Sequence, residues 1–176
     1  MSRTLAVLTL GFVAGCQSTA TPITTVDDVD LDRFMGDWYV IAHIPTFLEK
    51  RAVNAIESYR RGTEPRIETT FRFRNGFDAP VKTYTPTGFV REDSPGHWGM
   101  QFLWPIKAEY RISYVSPDYS TTLIGRSKRD YLWIMARTPT LPEQELDALI
   151  ERAVDWGYKR EDIRLVPQRW PEPASS

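Results

Sequence analysis

Side chains able to do nucleophilic or metal chemistry are scarce in this chain: one cysteine, Cys16, and two histidines, His43 and His97, among 176 residues. A thiol needs an adjacent base to act as a nucleophile and a second thiol to form a disulfide, and a zinc or copper centre needs several nitrogen and sulfur ligands drawn together. His43 and His97 lie far apart in sequence, so neither a catalytic triad nor a transition-metal site is expected. A haem with one axial histidine is the single cofactor left open, and none is assigned. The other groups with chemical content are charged: Glu57, on one strand face with Tyr59, and the basic residues Lys50, Arg51, Lys82, Lys107, Lys128 and Arg129. Turned inward, Glu57 is a costly buried carboxyl that must be paired or protonated; turned outward it is ordinary, and the outward reading is slightly preferred.

Cys16 closes the run Val13-Ala14-Gly15-Cys16, which follows Arg3 and the apolar stretch from Leu5 to Val13. One positive charge, a short apolar core and small residues make a secretory signal, too short to span a bilayer as a mature helix. The last four residues are similar to the lipobox of bacterial lipoproteins, in which the chain is cut before the cysteine and the new N-terminus is acylated, as with palmitate. Residues 1–15 are therefore read as a lipoprotein signal peptide, 16–30 as the lipidated cysteine and a flexible polar leader, 31–170 as one domain and 171–176 as a loose tail. Several acyl chains on one residue anchor a protein to a membrane without spanning it. By resemblance to enterobacterial sorting, an Asp after the cysteine would favour inner-membrane retention; Gln17 stands there, which points to the outer membrane, facing the periplasm.

A formal net charge of −1 with scattered Lys and Arg offers no nucleic-acid surface. Thirteen prolines, ten glycines and many aromatics favour a turn-rich β protein. Apolar residues alternate from Trp38 to Pro139: Ile67, Thr69, Phe71 and Phe73 fall on one face, Arg66, Glu68, Arg72 and Arg74 on the other. The pattern predicts strands at 38–45, 54–61, 66–74, 81–91, 97–103, 108–115, 121–127 and 131–138, with Asn75-Gly76, Pro95-Gly96 and Ser116-Pro117-Asp118 as turns. Eight sequential strands with short connections predict an all-β, antiparallel up-and-down barrel, since closure removes exposed edges. A helical stripe of Leu146, Leu149, Ile150, Ala153 and Val154, between Pro142 and Gly157, predicts a helix packed outside it, and Ile163 to Val166 a short last strand.

Three segments carry a resemblance: Gly36-Asp37-Trp38-Tyr39 opening the first strand, Asp118-Tyr119 at a turn, and Asp130 to Pro139, containing Arg137. Over about Asp30 to Gln168 the chain resembles the lipocalin family, in particular the bacterial lipoprotein lipocalins related to apolipoprotein D and the plant temperature-induced lipocalins. The resemblance implies a ligand-sized cavity and a structural floor of Gly36, Trp38 and Arg137, with the guanidinium packed on the indole, a contact of about 2 kcal/mol when desolvated. Binding is then expected at the opposite end. Lys107 stands where the family leads one to expect a hydrophobic or aromatic residue, and Glu57 where a small one commonly lines the cavity.

With Trp38 inward, period two turns Val40, Ala42 and Ile44 inward and His43 outward; anchoring on Arg137 turns Tyr131, Trp133 and Met135 inward and Leu132, Ile134 and Ala136 toward the helix. Phe71, Phe73, Tyr84, Met100, Phe102, Tyr110 and Ile112 complete the expected cavity, though a bulge would flip any assignment. Lys50, Arg51, Lys82, Lys107, Lys128 and Arg129 are expected around the mouth as a basic collar for a fatty acid carboxylate or a lysophospholipid phosphate. Exposed apolar groups in Pro45 to Leu48 and Leu103 to Ile106 could form a lid, touch a membrane or pair two subunits as a homodimer. The leading reading is a non-enzymatic, membrane-anchored carrier or scavenger of single-chain lipids. The alternatives are a lipocalin-type isomerase or epoxide enzyme and a structural envelope lipoprotein with no ligand.

Overall fold

Alternating side chains become strand with one face buried. In β3 (Arg66–Arg74), Ile67, Thr69, Phe71 and Phe73 are buried while the intervening Arg and Glu side chains are not. The other staves are β1 (Gly36–Ile44), β2 (Val53–Arg61), β4 (Val81–Tyr84), β5 (Thr87–Arg91), β6 (Ser94–Leu103), β7 (Ile106–Val115), β8 (Thr121–Gly125) and β9 (Leu132–Ala136). The structure, a computed structural model, describes residues 23–172; the signal peptide, Cys16 and the end of the tail lie outside the described residues. β9 pairs back onto β1, which closes an eight-position antiparallel barrel. The expected strand at 81–91 is split: β4 and β5 both pair with β3 and share one position, parted by Thr85-Pro86, where proline has no N–H for the ladder. Pro95-Gly96, expected as a turn, lies inside β6; the turn is Glu92-Asp93, clasped by an Arg91–Asp93 ion pair of 3.0 Å.

One end is shut by a short helix, α1 (Leu31–Phe34), whose first amides are capped by the Asp30 carboxylate. Phe34 and Trp38 are fully buried there with ring centroids 5.0 Å apart, and the Trp38 indole N–H donates to the Phe34 carbonyl at 2.8 Å. Arg137 covers the indole, its Cζ 3.7 Å from the ring centroid, and donates to the carbonyls of Asp37 (2.8 Å), Arg33 (2.7 Å) and Met35 (2.9 Å). One guanidinium thus satisfies the orphan carbonyls at the end of α1 and the start of β1. Gly36 has a φ of +94° under it, where a side chain would be strained.

Two segments outside the barrel pattern seal its flanks. From Ile23 onward the expected leader is ordered: the Val26 N–H donates to Ile112 O at 2.9 Å beyond the last β6–β7 pair, and Val29 is buried. β2 pairs with β1 only from Gly36 to Tyr39; above that, β10 (Arg164–Leu165) takes its place. Gln168 bridges the gap by donating to Val40 O at 2.8 Å, and Glu172, in the segment expected to be loose, is held by Arg72, Arg74 and Asn54. The helix α2 (Glu143–Asp155) buries Leu149, Ile150 and Ala153 against Leu123, Leu132 and Ile134, and ends in a Schellman turn: Tyr158 N–H donates to Ala153 O (3.1 Å) and Gly157 N–H to Val154 O (2.8 Å).

Replacing Arg137 with Ala removes several charge-assisted hydrogen bonds and uncovers Trp38, so a loss of about 3 kcal/mol is expected. For a domain of this size that lowers the melting temperature by roughly 6–12 °C. Calorimetry that finds an unchanged melting temperature would contradict this role for the floor.

Candidate functional site

β1 changes phase midway. Tyr39 and Val40 pair with Ala136 and Met135, but the next pair is Ala42 with Ile134, so Ile41 is an extra residue in a β-bulge. Side chains beyond it swap faces. Ala42 and Ile44, expected in the cavity, lie against α2 with Leu132 and Ile134, whereas His43, expected outside, turns inward beside Trp133. Four further expectations are corrected by packing: Val40 and Ile112 are fully buried in the inner core, and Phe73 stacks with Tyr84 behind Phe71, so Val40, Phe73, Tyr84 and Ile112 do not line the open space.

Above that core lies a cup of about 230 Å³. Phe71, Met100, Phe102, Tyr110, Tyr131, Trp133 and Met135 line it, joined by Phe47, Leu48 and Ala108. Its aromatic wall is continuous: Tyr59 and Tyr110 share a hydroxyl hydrogen bond, Tyr110 stacks on Trp133 at 6.3 Å, and Trp133 meets Tyr131 at 6.1 Å. Burial pushes both the Tyr59 and Tyr110 phenols well up, which keeps them neutral.

None of the six basic residues expected at the mouth lines this cup. Lys107 has odd spacing from the inward Tyr110 and lies outside, its amine 3.5 Å over the Phe89 ring. Arg129 donates to the Trp156 and Ser127 carbonyls, tying its loop to the end of α2. Lys50, Arg51, Lys82 and Lys128 are exposed to solvent, which offers each ammonium better hydration than an apolar wall.

The charged groups on the wall are instead Glu49, Glu57, Glu109 and Arg126. Glu49 arrives from the β1–β2 connection, which no periodicity could place. It is 1% exposed, accepts from the Thr46 N–H at 2.9 Å, and lies 3.6 Å from His43 Nδ1 and 3.5 Å from the Trp133 indole nitrogen. Burial pushes its carboxyl up, but hydrogen bonding to His43 and Thr46 outweighs this and leaves it below the ordinary range. Glu109 accepts from Arg111 and from the Ser127 N–H and hydroxyl, and Arg126 is paired with Asp130 at 3.1 Å.

Glu57 differs from both. The structure turns it inward, correcting the outward preference: it pairs with Trp38 on one side and Phe71 on the other, is 9% exposed, and its Oε2 is buried with no hydrogen-bond partner among the described residues. Desolvation, reinforced by the nearby Glu49 charge, raises its carboxyl well above 4.5. Among the described residues no group of three or more His, Cys, Asp or Glu side chains is placed to hold a metal. The cup can solvate an apolar body and offers it one unsatisfied carboxyl near the bottom.

Comparison with known proteins gives a consistent result. The lipocalin-like domain model matches residues 29–168. Temperature-induced lipocalin-1 of Arabidopsis thaliana is 30% identical, covering 86% of each chain, and the outer membrane lipoprotein Blc of Citrobacter freundii is 26% identical, covering 93% of this chain and 95% of its own. Insecticyanin from the tobacco hornworm Manduca sexta superposes with a TM-score of 0.68 at 13% identity, covering 86% of this chain and 87% of its own, a likeness of fold.

The raised Glu57 carboxyl has a signed consequence. Below its ordinary value of 4.5 both folded and unfolded chains hold the proton; as pH rises above it the unfolded chain ionises first, so Glu57 lowers stability progressively toward its folded value. Glu57→Gln should therefore match the parent in melting temperature at pH 4 and exceed it increasingly toward pH 8. A constant difference across that range would show that the carboxyl is not held protonated.

Proposed function

Because the chain belongs to the lipocalin-like family, we propose that it is a non-enzymatic carrier or scavenger that takes up a single-chain lipid, such as a fatty acid or lysophospholipid, in its cup, and that an acylated Cys16 tethers it to the outer membrane facing the periplasm. The observation that carries the reading is the aromatic cup itself, apolar on most of its wall and open at the end away from the Trp38 floor. A space of about 230 Å³ is below the roughly 300–1,000 Å³ of pockets that enclose a drug-sized molecule, so the cup holds a compact ligand or one end of a longer chain. The relatives named outer membrane lipoprotein Blc support the tether.

The rim suits exchange with a bilayer. Phe47, Leu103, Trp104 and Ile106 are 68–82% exposed on the two connections beside the opening, more apolar surface than a purely solvated rim would carry. They form the lip through which a lipid passes, and a second subunit seated on it would close the cup.

Two measurements test this reading. Native mass spectrometry of protein released from its own membrane should show a co-purified lipid of defined mass, and Ala108→Trp, which fills the cup, should lose it with an unchanged circular dichroism spectrum; a parent protein that is empty and ignores added lipid would overturn the carrier role. In cells fed labelled palmitate, Cys16→Ser should lose the label and leave the membrane fraction. Retention of both would remove the anchor.

A further inference from the structure

Among the described residues, Glu57 is the one carboxyl group on the cup wall that has no counter-charge or hydrogen-bond donor at its buried oxygen. Glu49 has Thr46 and His43, Glu109 has Arg111 and Ser127, and Arg126 has Asp130, so each of the other charges already stands in a partnership. Glu57 stands low in the cup, level with Trp38, nine-tenths buried, with Oε2 unpartnered and no cation beside it. Around it rise Phe71, Tyr59, Tyr110 and Trp133, neutral rings whose faces carry negative potential. Among the described residues three carboxyl groups on the wall stand against a single guanidinium, Arg126, which is paired with Asp130 through one nitrogen and keeps a buried Nε without a partner.

Taking the cup as the ligand site, as proposed above, we propose that it selects an amphiphilic amine: the ammonium of the ligand descends onto the Glu57 carboxylate between aromatic faces, and its apolar chain fills the space toward Phe47 and Phe102. An ammonium answers three features at once. It supplies the missing hydrogen-bond donors at Oε2, it relieves the Glu49–Glu57 repulsion, and it gains cation–π attraction from the ring faces. The carboxyl of Glu57 is already desolvated in the folded chain, so on its side of the pair that cost does not recur on binding. A free carboxylate at the same depth meets the opposite: two carboxyl groups, no cation and no polarised amide aimed at it. This assignment replaces the expected basic collar with an acidic bottom and, within the single-chain lipids of the carrier reading, favours those that bear an ammonium over those that bear a free carboxylate. Binding is coupled to proton release: the proton that burial favours on the Glu57 carboxyl is given to solvent as the ammonium arrives.

The test compares one chain length with three head groups, octylamine, 1-octanol and octanoate, by titration calorimetry at pH 7.5 in two buffers of different ionisation enthalpy. The expected result is octylamine at least tenfold tighter than the other two, with a buffer-dependent enthalpy reporting proton release for the amine and none for octanol. Glu57→Gln should abolish both the amine preference and the proton release while leaving octanol affinity within about twofold. Octanoate or octanol binding as tightly as octylamine, or an amine preference that survives Glu57→Gln, would overturn the assignment and leave the carrier reading standing. Failure of all three to bind would overturn both. The head-group comparison uses the parent protein, so it decides the matter even if the variant folds poorly.

Discussion

The contact between Arg137 and Trp38 is the constraint on which the remainder of the molecule rests. A barrel of eight staves has two ends, and a chain that leaves both open must hydrate its own interior. Here the indole fills the lower end, the guanidinium shields it from water, and the same guanidinium gathers the carbonyls that α1 and β1 leave unsatisfied. A lysine could supply charge but not this planar fork, which meets several carbonyls while lying flat on a ring. With one end sealed, the leader at Val26 and the strap around Gln168 have fixed edges to close against. The open end is then free to differ.

Above the floor the interior changes character by degrees. First comes an apolar layer built on Phe34, Trp98, Val40 and Ile112, then the Tyr59 and Tyr110 phenols bonded to each other and the Trp133 indole turned to Glu49, and last the mouth with its loops. Much of the buried polarity has a partner: Glu49 brings its own backbone donor, and Tyr158 ties β8, β9 and the helix end together by accepting from Arg126 N–H and donating to Tyr131 O. Glu57 differs as a carboxyl group whose buried oxygen has neither donor nor counter-charge among the described residues. Burying a carboxyl without a partner lowers stability, and a fold retains such a cost where something else is gained.

Most of the scaffold was legible before the structure, and the reasons it became illegible are local. Alternation located the strands, and the Gly36 to Tyr39 and Asp130 to Pro139 segments located the floor. Phase was lost at Val40-Ile41-Ala42 because every residue there is apolar, so an inserted position leaves no mark on the pattern, and Ala42, His43 and Ile44 came out on the wrong faces. Lys107 could have been read correctly, since its odd spacing from an inward Tyr110 already turned it outward. Loop residues carry no such clock. The burial of Glu49 depends on how the β1–β2 connection folds back over the opening, and the stitching of the β1–β2 gap by Gln168 and Asn54 depends on a segment more than a hundred residues away.

The bulge at Ile41 also divides labour along a single strand. Below it, β1 belongs to the sealed end, where Trp38 answers to Arg137 and the short helix. Above it, the same strand hands one face to the outer helix and turns His43 inward against Glu49, with its phase set independently of the floor. Changes in the upper half therefore need not propagate downward, since substitutions without shared partners act nearly independently. A one-residue irregularity thus acts as a joint between inheritance and innovation: the lower half can stay as it is while the upper half is recut.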